Sequence, residues 1–71
     1  YEHQIEIHGD YVDLTHDVLN LEEYLYDHED ILKGKWGYEW RYETVVSSES
    51  VIISAEHLQD LTLIKFLYGE V

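Results

Sequence analysis

Residues 45–69 read VVSSESVIISAEHLQDLTLIKFLYG, and the fold turns on how this run is divided. Two β-branched runs, Val45-Val46 and Val51-Ile52-Ile53, flank the polar residues Ser47 to Ser50. Branched side chains favour strands and a polar cluster marks a turn, which predicts two strands joined by a tight connection that contains Glu49 and Ser50. A break at Ser54-Ala55 then leads into AEHLQDL, read as a helix of about two turns with Leu58 and Leu61 inward. Ser54 is the expected cap, although His57 in place of a Glu leaves the capping box incomplete. TLIKFLYG closes the chain as a strand, with Leu63, Lys65 and Leu67 opposite Thr62, Ile64, Phe66 and Tyr68.

Upstream, YEHQIEIHG alternates Tyr1, His3, Ile5 and Ile7 with Glu2, Gln4, Glu6 and His8, the period of a strand with one buried face, and Gly9 ends it. From Asp13 the period changes. Leu14, Val18, Leu21, Leu25, His28 and Leu32 recur at steps of three and four, which predicts a helix over 14–33 capped by Asp13 or Thr15 and stopped by Gly34. KWGYEWRYETVV is a second strand, with Trp36, Tyr38, Trp40 and Tyr42 on one face and Gly37, Glu39, Arg41 and Glu43 on the other. These aromatics are either core for the helix or, in part, the lining of a groove for a partner's side chain. The order is β-α-β-β-α-β: an α+β fold in a single domain, 1–71, with an antiparallel sheet, one long acidic helix and one short one.

Charge restricts the choice of function. Sixteen acids face four basic residues, a formal net charge of −12 with His neutral, yet 45% of the chain is hydrophobic and 14% aromatic, too much apolar content for a disordered acidic tail. All four cations, Lys33, Lys35, Arg41 and Lys65, follow ten of the acids. Helical spacing puts Glu23, Asp27 and Asp30 together on the face opposite the apolar stripe, without basic partners. Solvated helix faces usually mix both signs to gain i,i+4 pairs. Such a surface repels nucleic acid and attracts a basic protein. No apolar run approaches the roughly 18 residues of a membrane span, and the first residues lack the basic start of a signal peptide, so a soluble protein is expected.

Catalytic and metal chemistry have little support. Ser47, Ser48, Ser50 and Ser54 have only His57 nearby as a base, at no diagnostic spacing, and a domain of this size has little room for a desolvated cleft. Asp13, His16 and Asp17 share a helical turn, but no zinc motif occurs and DHED lacks the alternating ligands of a calcium loop. The expectation is a non-enzymatic binding protein with no metal and no cofactor. Free cysteine and disulfides are excluded by composition.

The succession Val45-Val46, two serines, Glu49-Ser50-Val51-Ile52, a break and an acidic helix resembles the recognition element of Ugi-type phage inhibitors of uracil-DNA glycosylase, over about 17 residues of the chain. Outside that element the layout departs from those chains, since a strand and a long helix come first here. The resemblance implies DNA mimicry in a bacterial cytosol. Glu49 would stand for a phosphate, Ser50 would add hydrogen bonds, and Val51, Glu56 and Asp60 would complete the contact. Glycosylases flip a base from the duplex, and this family of enzymes fills the gap with an apolar side chain. A pocket of Val46, Ile53, Leu58 and Leu61, with Trp40 and Tyr42, would take that side chain. The alternatives are mimicry aimed at another DNA-binding protein (a restriction enzyme, a CRISPR effector, a nucleoid protein) or an acidic adaptor whose aromatic ladder serves homodimerisation.

Overall fold

The computed structural model describes residues 1–43 and 48–70. The chain is α+β: strand β1 (His3–Gly9), helix α1 (Tyr11–Asp27), a 3-10 turn (Glu29–Ile31), strands β2 (Trp36–Glu43) and β3 (Ser48–Ala55), and helix α2 (Leu58–Leu67). Among the described residues the sheet has three strands in the order β1-β3-β2, both pairs antiparallel. Strand β3, the last of the three in the chain, is therefore central.

Strand β3 alternates as SESVIISA. Val51, Ile53 and Ala55 are buried on its inner face, opposite Ile7, Ile5 and His3 of β1 and Trp40, Tyr38 and Trp36 of β2. Both helices pack on this face. Leu14, Val18, Leu21 and Leu25 of α1 and Leu61 and Ile64 of α2 complete the buried core. The outer face, with Gln4, Glu6, His8, Glu39 and Arg41, is exposed. One sheet under one layer of helices gives extents of 39 × 24 × 15 Å, so one face of every strand meets solvent.

Four boundaries differ from the expectation. Glu49 and Ser50 are not turn residues but strand residues, paired with Gly9 and His8 on one side and Tyr42 and Arg41 on the other. Ser50 lies on the outer face, where its hydroxyl bonds Glu6, and Glu49 lies on the inner face at the open end of the strand beside Tyr42; the expected partners 44–46 lie outside the described residues. Helix α1 starts earlier and stops earlier than 14–33. Asp10 caps it by accepting from the Val12 N–H, and at its other end Asp27, Glu29 and Asp30 would meet the negative pole of the helix dipole with no basic residue in the last turn. His28 closes it instead, its N–H donating to the Tyr24 carbonyl and its ring stacking on Tyr24.

The third correction is the break, which falls at Glu56-His57 rather than Ser54-Ala55, so Ser54 stays in β3 and His57 is the α2 N-cap without a side-chain bond. The fourth is the final strand. TLIKFLYG continues α2, because an almost wholly apolar run fits either period and the core selects Leu61 and Ile64, three apart, leaving Phe66 76% exposed. Helix α2 stops where Gly69 takes φ 82°, the left-handed conformation that suits glycine after a helix. Gly34, expected to end the first helix, lies in the connection between the 3-10 turn and β2.

Candidate functional site

An aromatic groove along β2

Helix α1 lies over the buried face of β1 and β3, and the ladder on β2 is only partly covered. Trp36, Tyr38 and Trp40 follow each other with ring centroids 6.0 and 6.3 Å apart, and Tyr11 reaches from α1 to stand 5.7 Å from Trp40. Two hollows open along this line. One, about 240 Å³, is lined by Tyr11, Trp40, Arg41, Tyr42 and Glu49. The other, about 340 Å³, is bounded by Glu22, Leu25, Tyr26, Glu29 and the Trp36–Tyr38 stretch.

Glu49 reaches the first hollow because it is an inner-face residue at the end of the central strand, next to Tyr42 and across from Gly9, which has no side chain to cover it. Among the described residues its carboxylate makes no ion pair or hydrogen bond. Tyr11 is 54%, Trp40 39% and Tyr42 59% exposed, so the rings around it face solvent. Arg41, although on the rim, is drawn to the other face of the sheet by Glu6, Nη1 to Oε2 3.5 Å. In the second hollow the Glu22 carboxylate beside the Tyr38 hydroxyl raises the pKa of that phenol, with burial adding to the shift.

The remaining expected contacts divide between surface and framework. Ser50 is buried, its hydroxyl donating to Glu6 Oε2 at 2.9 Å, so Ser50, Glu6 and Arg41 clip the three strands together. Val51, Ile53 and Leu61 are core side chains, buried against the helices and the sheet rather than lining either β2 hollow. Asp60 is 2% exposed and holds the Lys33 and Gly34 N–H groups at 2.8–3.0 Å. Glu56 accepts from the Lys35 N–H at 2.7 Å while donating its own N–H to the Lys35 carbonyl. Leu58 is exposed on α2, away from the β2 hollows, and Val46 lies outside the described residues. Glu23 and Asp27 are exposed on α1, but Asp30 belongs to the 3-10 turn beyond its end and does not continue their row.

Thus the structure brings together Glu49, Trp40 and Tyr42 at one hollow, whose described lining includes none of the other expected residues. Sequence reasoning misses Tyr11, Glu22 and Tyr26. Their spacings of eleven and four put them on one flank of the α1 stripe, a signal that was available in the helical period. Among the described residues no three His, Asp or Glu side chains converge as a metal site would need, and no helix is long and apolar enough to cross a membrane. No protein-family model, curated protein or solved structure matches this chain.

Proposed function

We propose that this protein is a non-enzymatic DNA mimic that occupies the DNA-binding cleft of a basic partner. The observation that carries this reading is α1: seventeen residues without Lys or Arg, presenting Asp13, Glu23 and Asp27 to solvent with no ion-pair partner among the described residues. Glu23 and Asp27 stand about one turn apart, about 6 Å along the axis, and a line of fixed carboxylates offers a cationic cleft what a phosphate backbone does. The charge speeds encounter, and the aromatic groove supplies apolar area.

Uracil-DNA glycosylase is the partner to test first, because the Glu49-Ser50 element resembles that of its inhibitors. Excess protein should then suppress uracil release from a uracil-containing duplex, and release at the uninhibited rate would overturn that choice. A different DNA-binding target is favoured by one observation: Ser50 is engaged with Glu6 and Val51 is buried, which leaves the half-buried Glu49 as the one polar side chain of the element free of such a bond among the described residues. Displacement of duplex from a nucleoid protein or restriction enzyme, followed by fluorescence anisotropy, tests that reading.

A further inference from the structure

Strand β2 is an edge strand, and its aromatic residues carry the edge. Lys35 and Glu56 form a hydrogen-bonded pair, the Glu56 N–H donating to the Lys35 carbonyl at 3.0 Å. In an antiparallel ladder, hydrogen-bonded and non-bonded pairs alternate. Gly37, Glu39 and Arg41 therefore direct their backbone groups to β3, and Trp36, Tyr38, Trp40 and Tyr42 direct theirs away from the sheet. The same four residues turn their side chains to the inner face, over the two hollows.

We propose that this edge takes an extended segment of a protein partner, added as a further strand, whose Arg or Lys side chains enter the two hollows. Each hollow offers a cation what it needs. Aromatic faces attract it, and a carboxylate, Glu49 in one and Glu22 with Glu29 in the other, neutralises it. The hollows are centred four β2 residues apart, about 13 Å at the rise of a strand, so the guest carries its cations at positions i and i+4 on one face. A second copy of this chain is a poor guest, since two bodies of charge −12 repel. Strand addition supplies main-chain hydrogen bonds, and the alternate side chains supply selectivity. The inference rests on the proposed function only for the basic character of the partner.

Two acetylated, amidated peptides of equal charge form the test: Arg-Thr-Val-Thr-Arg, with i and i+4 spacing, and Thr-Arg-Arg-Val-Thr, whose arginines fall on opposite faces. Calorimetric titration should find the first binding at least about tenfold tighter, with amide exchange slowed at Trp36, Tyr38, Trp40 and Tyr42. Glu49→Gln and Tyr42→Ala, each checked for native circular dichroism, should remove that preference, while Glu23→Gln should leave it. Equal affinity for the two peptides, equal loss with Glu23→Gln, or unprotected β2 amides would overturn the proposal. So would a dimer in sedimentation with those amides already protected. Failure of the protein to displace duplex from any DNA-binding partner, with peptide selectivity intact, would overturn the DNA-mimic reading and leave the groove standing.

Discussion

Asp60 carries a negative charge into the interior of a chain already short of positive ones, and it is held there by backbone rather than by a cation. Its two oxygens accept from the Lys33 and Gly34 N–H groups, which fixes the loop entering β2 against the first turn of α2, where the helix dipole also favours an acid. Asp60→Ala leaves both donors without their acceptor and should cost about 3 kcal/mol, with Asp60→Asn, which keeps one acceptor oxygen, costing less. Urea unfolding measures both, and an alanine variant as stable as the parent would show that the loop finds other acceptors. Tyr68 is the converse case. Burial, and then the charge of Asp17, raise its pKa above the ordinary 10.0, and its hydroxyl is buried without a hydrogen-bond partner among the described residues. A raised folded pKa means that the unfolded chain loses its proton first, so this stability is present below pH 10 and is lost as pH rises through the folded value. Thermal melts above pH 10 should therefore fall less steeply for Tyr68→Phe, and identical slopes would locate the alkaline loss elsewhere, with Tyr38, shifted the same way by Glu22, the next to replace.

Ile64 and Phe66 separate the two readings of the carboxyl-terminal run. In a strand they share a face, whereas in α2 Ile64 is buried and Phe66 is in solvent. Ile64→Ala should cost about 3 kcal/mol through lost burial and the cavity left behind. Phe66→Ala should cost at most about 0.5 kcal/mol, the usual range for a surface change. Comparable losses in chemical denaturation would restore the strand. That the period failed here is physical: with Leu61, Leu63, Ile64, Phe66, Leu67 and Tyr68 all apolar, neither repeat is excluded, and only the presence of β3 beneath decides. Helix α1 was readable for the opposite reason, since Leu14, Val18, Leu21 and Leu25 recur at steps of three and four among enough polar residues, Asp13, His16, Asp17, Asn20, Glu22 and Glu23, to rule out the strand period. Strands β1 and β2 were readable by alternation. The groove was half readable: Trp40, Tyr42 and Glu49 stand out as residue types, but their meeting depends on the β2–β3 register, and Tyr11 joins them through the packing angle of α1, which no local pattern encodes.

At the scale of the whole molecule, the formal charge of −12 acts on folding and on binding with opposite sign. Within the free protein, like charges on α1 repel, so the fold carries a cost that its function would explain if a cationic partner relieves it. Glu23 and Asp27 lie at i,i+4, a like-charge spacing that destabilises by a few tenths of a kcal/mol. The pair Glu23→Gln and Asp27→Asn should thus raise the melting temperature by about 2–4 °C, since about 0.5 kcal/mol corresponds to that shift in a domain of this size. Salt should do the same to the parent, because the screening length falls from about 30 Å at 0.01 M to about 3 Å at 1 M. Binding should respond the other way: the same substitutions and the same salt should slow association with a basic partner while leaving dissociation nearly unchanged, as long-range charge governs encounter more than residence. Thermal melts and stopped-flow association across ionic strength measure the two arms. A melting temperature that falls on removing these carboxylates would mean that they stabilise the fold, and the case for α1 as a charge displayed for a partner would fail with it.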